Sequence, residues 1–198
     1  MSKAEKTKLF ILEQTAEIFN KKGYAATSLS DITQATGLTK GSIYGNFQNK
    51  EEVAIAAFEY NATNLYKKLR DVSTQEGQTN KDRLLALVDL YRNHWDIFYQ
   101  KGGCPLLNAA TDADDTFPEL KKSVAYAFEQ WAKLFAEIIT NGIEQHEFKK
   151  ESDAYQYAYL FISLIEGGIV LSKTTNKINH LYNTLDRIVL IINNEITL

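Results

Sequence analysis

The sequence predicts an all-α protein of about nine helices, and three observations support that fold class. Apolar residues recur at helical spacing along most of the chain, strand-like alternation is hard to find, and proline occurs only twice in 198 residues. A hydrophobic content of 44% is enough for a buried core in a chain of this length. Together with only ten glycines, it excludes disordered and fibrous proteins.

The first predicted helix carries an apolar face. Ile11, Leu12, Ala16 and Phe19 follow helical spacing, and Gly23 lies where a helix C-terminus is expected. The sequence therefore predicts that this helix ends near residue 22.

Two short helices with clear start signals come next. Ser28 and Asp31 have the spacing of a capping box, which predicts a helix of about eight residues ending at Gly37. Thr39 is an N-cap candidate for the next helix, predicted from residue 40 to about Phe47.

The rest of the chain reads as longer helices joined by short loops. Asn49 opens a fourth helix, and residues 73–80 are polar and predict a loop. Apolar spacing then predicts helices over residues 84 to about 101, after Pro105, from Pro118, over 154–168 and over 181–192.

Charge is distributed unevenly along the chain. Residues 1–50 hold seven lysines and four acidic residues, so they carry +3, whereas the whole chain carries −3. The remaining residues therefore carry −6. This asymmetry favours a small anion-binding module on an acidic body.

Several functional classes lack their signatures. Cys104 is the only cysteine, which excludes a disulfide framework and a cysteine-based zinc site, and three histidines without ligand spacing argue against a metal site. No nucleophile elbow, paired Glu-x-x-His motif or glycine-rich phosphate loop appears, so we predict no cofactor and no enzyme. No signal peptide or uncharged apolar run of membrane-spanning length is found, which predicts a cytoplasmic protein.

The two short helices and the turn between them predict DNA binding. A glycine in a turn of three to four residues lets two helices cross steeply, as in a helix-turn-helix motif. The outward side of the second short helix would present Lys40, Gly41, Ser42, Tyr44 and Asn46, which suits the major groove. We expect Lys40 and Ser42 to contact base edges.

Helix N-termini near this motif predict phosphate contacts. The N-cap candidates Ser28 and Thr39 precede backbone N–H groups that are available to anions. Lys50 lies at the start of the fourth helix, beside the predicted groove, and is expected to contact a phosphate as well.

Residues 8–58 resemble the tetracycline-repressor (TetR) family of bacterial regulators. The resemblance rests on Ile11-Leu12, Ala16, Phe19, Gly23-Tyr24, Thr27-Ser28, Asp31-Ile32, Ala35, Gly37-Leu38, Lys40-Gly41-Ser42-Ile43-Tyr44, Phe47, Lys50-Glu51 and Val53. Gly45 and Asn46 depart from the family pattern. Residues 103–108, Gly-Cys-Pro-Leu-Leu-Asn, also look like a Gly-Cys-x-x-x-Asn element of some members.

The resemblance implies a homodimer with two functional domains. Residues 1–49 would bind DNA, and residues 50–198 would bind an effector and dimerise. The implied DNA contacts add Thr27 and a phosphate contact by Tyr44 to the residues named above. The partners would be a palindromic double-stranded operator and a small molecule, without any membrane.

Aromatic residues are abundant in the C-terminal region, where they would form a core or line a ligand pocket. The candidate ligand-binding residues are Trp95, Phe98, Asn108, Trp131, Phe135, Phe161 and Glu166.

Gly167 and Gly168 interrupt a strongly helical pattern, at a cost of about 1 kcal/mol each relative to alanine. Close approach of another helix would offset that cost, and the last helix is apolar nearly all round. We therefore predict a dimer interface on the last two helices, formed by Phe161, Ile165, Gly168, Leu185, Ile188 and Ile192.

The leading hypothesis is a ligand-responsive transcriptional regulator, most simply a repressor released from its operator by a small molecule. The alternative is a DNA-binding regulator without a small-molecule ligand, controlled by a protein partner. A helical enzyme is the weaker rival, because its motifs are absent.

Overall fold

A computed structural model describes residues 1–198 and confirms the all-α class. It contains α1 (Lys3–Lys22), α2 (Leu29–Thr36), α3 (Lys40–Tyr44), α4 (Lys50–Ser73), α5 (Asn80–Asn93), α6 (Trp95–Gln100), α7 (Pro105–Ala113), α8 (Pro118–Glu144), α9 (Ala154–Thr175) and α10 (Asn179–Leu190). A π-helical turn, Ile191–Ile196, continues α10 to the C-terminus. The only strand-like pairing is an isolated bridge between Phe148 and Thr197.

Two helix boundaries differ from the prediction. The helix predicted from residue 84 to about 101 is divided at His94 into α5 and α6. The sequence did not predict this break, because no strong start or stop residue marks the point. The third helix is shorter than predicted and ends at Tyr44 rather than near Phe47.

The chain forms two compact units. The first contains residues 1–64 and 101–127, and the second contains residues 65–100 and 128–198. These units describe packing, whereas the functional boundary near residue 49 stays a prediction.

In the first unit, α1 packs on α2, and α2 packs on α3. The core beneath these helices includes Ile11, Phe19, Ile32 and Ile43, all fully buried. Phe47 is buried beside them at 3% exposure. Ala35 and Leu38 are only partly buried.

In the second unit, α9 packs along α10, and α10 also packs on α5. Gly168 is at the α9–α10 contact, since a Cβ there would lie 3.0 Å from the Leu181 Cα. The close helix approach expected at this glycine is therefore real, but it occurs within one chain.

This packing corrects the predicted dimer residues. All six are buried within the single chain, so they cannot form a surface for a second copy; they are Phe161, Ile165, Gly168, Leu185, Ile188 and Ile192. Apolar spacing identified the inner face of each helix correctly but could not tell whether the covering surface belonged to the same chain.

The opposite side of α9 is apolar and exposed. Leu160, Val170 and Leu171 are between 40% and 50% exposed, and nothing lies within 4 Å of a Cβ added at Gly167. By length and composition α9 is the one helix that could cross a membrane. Buried helices of soluble proteins meet the same criterion, and the inner side of α9 is buried against α10.

Candidate nucleic-acid interface

The helix pair α2–α3 is defined at each end by local hydrogen bonds. The Ser28 hydroxyl accepts the Asp31 N–H at 3.2 Å, and the Asp31 carboxylate accepts the Ser28 N–H at 2.7 Å. At the other end of α2, Gly37 adopts the left-handed conformation with φ +68°, which glycine tolerates without steric cost. The Thr39 hydroxyl then accepts the Ser42 N–H and begins α3. The predicted caps and turn are thus present, and they form a helix-turn-helix motif.

The outward side of α3 presents a small polar surface. Lys40 and Gly41 are exposed, and Tyr44 is 43% exposed. Ser42 is only partly exposed. Lys40 takes part in none of the ion pairs of the chain, so its charge is available to a ligand.

A second cation near the motif, Lys22, forms an ion pair within the chain. The Lys22 ammonium lies 2.6 Å from the Asp31 carboxylate. This contact, followed by the hydrogen bonds from Ser28, lowers the pKa of Asp31 well below its ordinary value. The carboxylate at the start of α2 therefore stays charged, and Lys22 offsets the repulsion that it would exert on a phosphate.

Two predicted DNA-contacting side chains, those of Lys50 and Asn46, donate to backbone carbonyls in the free chain. The Lys50 ammonium donates to the Ala25 carbonyl at 2.9 Å. The Asn46 amide donates to the Ser42 carbonyl at 2.9 Å and thus caps the end of α3. A lysine ammonium has three N–H groups, so Lys50 retains donors for a phosphate.

Thr27 requires a correction. Its side chain is fully buried, and its hydroxyl donates to the Gly23 carbonyl at 2.7 Å. It stabilises the turn between α1 and α2 and has no free group for a phosphate, so it does not belong to the interface. The sequence showed a small hydroxyl residue beside an N-cap but not its burial.

The predicted ligand-binding residues are only partly brought together. Trp131 contacts Phe135 at a ring-centroid distance of 6.4 Å, and Phe135 contacts Phe161 at 5.9 Å. Tyr91 stacks on Phe98 at 5.1 Å and on Trp131 at 6.1 Å. These five residues form what we call the aromatic cluster of the second unit.

Two members of this neighbourhood were missing from the prediction. Tyr91 joins Phe98 to Trp131, and Phe128 stacks on Trp131 at 6.2 Å. Both lie at helical spacing from a predicted member, which is the signal that could have found them. Trp95 packs instead on Tyr99 at 5.7 Å, and Glu166 is buried at 6% exposure.

Asn108 also requires a correction, because it lies in the first unit and the other six candidates lie in the second. Its amide donates to the Asn20 side chain at 2.9 Å and to the Gly102 carbonyl at 2.8 Å. The N–H groups of this amide are therefore engaged within the first unit.

Trp131 has a polar group without a partner. The ring is 1% exposed, and its Nε1–H is buried without any hydrogen-bond acceptor. A buried donor left unsatisfied costs about 1–3 kcal/mol, so such a group invites an explanation.

Comparison with known proteins places both parts of the chain. Residues 11–57 match the model of bacterial regulatory proteins of the tetR family. Residues 81–188 match the model of the tetracyclin repressor-like C-terminal domain. The second match alone covers more than half of the chain.

Relatives agree with these matches. The helix-turn-helix transcriptional regulator YxaF of Bacillus subtilis is 30% identical over 166 residues, which is 83% of each chain. A TetR-family regulator from Cytophaga hutchinsonii has a crystal structure that is 40% identical, with a TM-score of 0.94, over 100% of this chain and 98% of that one.

A more distant structure shares the fold alone. FadR of Bacillus subtilis, solved in complex with stearoyl-CoA, is 18% identical with a TM-score of 0.73, over 94% of this chain and 97% of that one.

With both family models matched and the helix-turn-helix geometry present, the chain belongs to the TetR family of DNA-binding transcriptional regulators and is not an enzyme.

Proposed function

We propose that this chain is a cytoplasmic repressor that binds a palindromic operator as a homodimer and is released by a small molecule. The observation that carries the proposal is the α2–α3 motif, with both helix starts capped and the polar side of α3 exposed. A helix of this kind fits the major groove, where side chains contact base edges.

In this interface Lys40 and Ser42 contact base edges, with Gly41 allowing close approach of the α3 backbone. Tyr44 and Lys50 contact phosphates on either side. Ser28 and Thr39 expose the N-termini of α2 and α3, whose N–H groups attract phosphate oxygens. Asn46 keeps the end of α3 in place, because its amide is already bonded to the Ser42 carbonyl.

The second copy packs on the exposed side of α9. Leu160, Leu164, Gly167 and Leu171 recur at helical spacing on that side. Gly167 costs the helix about 1 kcal/mol and meets no neighbour within the chain. Close approach of the partner helix gives this glycine a role, as α10 does for Gly168.

The effector binds in the aromatic cluster around Trp131, Phe135 and Phe161. The rings favour a mainly apolar molecule, and the buried Trp131 Nε1–H favours one that carries a hydrogen-bond acceptor. The complex of FadR with stearoyl-CoA supports the view that this fold can hold a largely apolar ligand.

Regulation follows from a shift between two dimer states. An effector that binds more tightly to the state in which the two α3 helices are wrongly spaced reduces operator affinity. For each effector bound, the reduction cannot exceed the ratio of the effector affinities for the two states.

Selection from a randomised duplex library tests the DNA-binding part. We expect paired half-sites with centres about 34–36 Å, or a multiple, apart. Binding to the recovered duplex should weaken steeply with salt. Lys40→Ala should change the preferred base, whereas Lys50→Ala should weaken all sequences alike and reduce the salt slope by about one unit.

Lys67→Ala is the matched control, since Lys67 is an exposed lysine on α4 beyond the motif. Recovery of single asymmetric half-sites would contradict binding as a dimer. If Lys40→Ala leaves the base preference unchanged and Lys50→Ala leaves the salt slope unchanged, the assigned interface is contradicted.

A further inference from the structure

One aromatic side chain of the loop between α8 and α9 fills the place of a missing side chain on α8. Phe148 lies in a run of otherwise polar residues and is only 1% exposed. A Cβ added at Gly142 would overlap the Phe148 ring. The ring therefore occupies the space that a side chain at position 142 would fill.

This space continues the row of aromatic residues on the inner face of α8. Trp131, Phe135 and position 142 are spaced by four and seven residues, so they lie on one face of the helix. Seven residues correspond to about 10 Å of helix, and the buried Ile139 lies within this interval. The Phe148 ring is thus the layer of the core that follows the aromatic cluster toward the end of α8.

Polar bonds to the start of α5 hold the loop in this position. The Glu147 carboxylate accepts the Asn80 side-chain amide at 2.8 Å and the backbone N–H groups of Asn80 and Lys81 at 3.2 Å each. Glu147 is only partly buried, and the N–H groups at a helix start are readily satisfied by water instead. Water can therefore replace these bonds when the loop moves away.

A second set of polar bonds joins the loop to the C-terminal residues. The Lys149 N–H donates to the Ile196 carbonyl at 2.8 Å, and the Leu198 N–H donates to the Glu147 carbonyl at 3.1 Å. The Lys149 ammonium also donates to the Glu195 carbonyl at 2.7 Å. The loop is thus held by hydrogen bonds on both sides of a single buried ring.

The loop carries backbone strain where it leaves α8. His146 has φ +58°, in the left-handed region that is unfavourable for a residue with a Cβ. Release of the loop relieves this strain and offsets part of the cost of breaking the hydrogen bonds.

We propose that residues 145–149 form a gate to the aromatic cluster. Trp131, Phe135 and Phe161 are each no more than 1% exposed, so an effector reaches them only after part of the second unit has moved. The gate segment combines one buried ring with replaceable polar bonds and a strained hinge, and it lies at the end of the same α8 face.

Opening moves the loop outward about His146 and withdraws the Phe148 ring from Gly142. The space that the ring leaves suits a flat, mainly apolar molecule. This inference rests on the proposed effector site and adds the route by which the effector enters. Because entry and exit use the same opening, the gate controls both rates and leaves the affinity nearly unchanged.

Hydrogen exchange at the Trp131 indole tests the gate without any effector. Its Nε1–H is buried without an acceptor, so its exchange with solvent requires an opening of the core. We expect this exchange in the wild type to be faster than global unfolding allows and nearly independent of low urea concentrations, as for a local opening. Glu147→Ala should speed it about tenfold, as for the loss of a hydrogen bond to a charged group.

Naphthalene is the probe for passage through the gate, with tryptophan emission followed by stopped flow. Glu147→Ala should raise the association and dissociation rate constants by the same factor of about ten and leave Kd within about twofold of wild type. Glu144→Ala is the matched control, since Glu144 is an exposed glutamate on the last turn of α8. It should leave both rate constants unchanged.

Gly142→Ala provides a second variant, because its methyl group displaces the Phe148 ring while alanine favours the helix. We expect faster Trp131 exchange and faster naphthalene binding and release. Rate constants unchanged in both variants, or Trp131 exchange that rises with urea as the slowest backbone amides do, would overturn the gate. A wild type that binds no naphthalene would contradict the proposed effector site instead, and the exchange measurement alone then decides the gate.

Discussion

The helix-turn-helix and helix α9 differ in how their structure is determined. Each end of α2 and α3 is set by a residue within four positions, such as Ser28 with Asp31 or Gly37 in its left-handed conformation. Helix α9 is apolar on both its buried and its exposed side, so its neighbours decide what each side does. Local chemistry therefore specifies the DNA-binding motif, whereas α9 is specified by packing against α10 on one side and, as we propose, against a second copy on the other.

The two adjacent glycines of α9 allow the most direct test of this difference, because one lies on its inner face and the other on its outer face. Gly168→Leu should destabilise the chain by about 1–3 kcal/mol or more, because overpacking would push against the α10 backbone at Leu181. Gly167→Leu should stabilise the single chain by up to about 1 kcal/mol, because leucine favours the helix more than glycine does, and should weaken the dimer. Denaturant unfolding at low protein concentration measures the first effect, and sedimentation measures the second.

Equal effects of the two substitutions on both measurements would contradict the separation of inner and outer faces. Gly167→Ala is the matched milder variant, since an added methyl group meets nothing within 4 Å in the single chain. An intact dimer of unchanged affinity in Gly167→Leu would move the interface away from this side of α9.

The turn in the helix-turn-helix provides the corresponding local test. Gly37→Val should cost at least about 1–2 kcal/mol, because a β-branched residue at φ +68° collides with its own backbone. Gly37→Asn should cost less, since asparagine tolerates this conformation. Thermal unfolding and binding to the selected duplex check both variants, and equal losses would show that conformation at Gly37 is not the cause.

The sequence predicted the first unit better than the second for the same physical reason. Caps at Ser28, Thr39 and Asn49, and the stop at Gly37, could all be read locally. The roles of Asn20 and Asn108 could not, because their partners lie 80 or more positions away.

In the second unit the inner faces of α9 and α10 were predicted correctly, but their covering surface was not. Helical spacing shows that Ile165 or Leu185 is buried and carries no information about which chain buries it. Thr27 shows the same limit in the motif itself, where a suitable residue type is hidden by its own turn.

The aromatic cluster allows a test of the effector site with small probes. Quinoline and naphthalene have the same shape, but only quinoline carries an acceptor for the Trp131 Nε1–H. Quinoline should move the Trp131 indole proton downfield in a spectrum that contains only two indole signals. Trp131→Phe should reduce the ratio of quinoline to naphthalene affinity roughly fivefold, as for the loss of one hydrogen bond.

Naphthalene serves as the matched control within this experiment, and Trp95→Phe serves as the control for the protein. An unchanged affinity ratio in Trp131→Phe would exclude the indole N–H as a ligand contact. Binding of neither probe would argue against a flat aromatic effector in this cluster.

The smallest effect distinguishes the two capping boxes at the starts of α2 and α5. Asp31 and Asp82 occupy equivalent positions, and the pKa of each is lowered. For Asp31 the first cause is the Lys22 ammonium, whereas for Asp82 it is the hydrogen bond from the Thr79 hydroxyl. The Asp31 carboxylate is thus stabilised by a lysine of another helix, and the Asp82 carboxylate by the N-cap residue of its own helix.

A lowered folded-state pKa means that each carboxylate contributes stability above its unfolded pKa of about 4, and that this contribution is lost as the pH falls below that value. The difference in unfolding midpoint between wild type and Asp31→Asn should therefore be constant from pH 7 to 5 and shrink below pH 4. Salt should reduce the Asp31 difference more than the Asp82 difference, because salt screens the Lys22 charge. Lys22→Gln should bring the Asp31 profile close to that of Asp82, and equal salt sensitivity of the two positions in the wild type would show that the ion pair adds nothing to the cap.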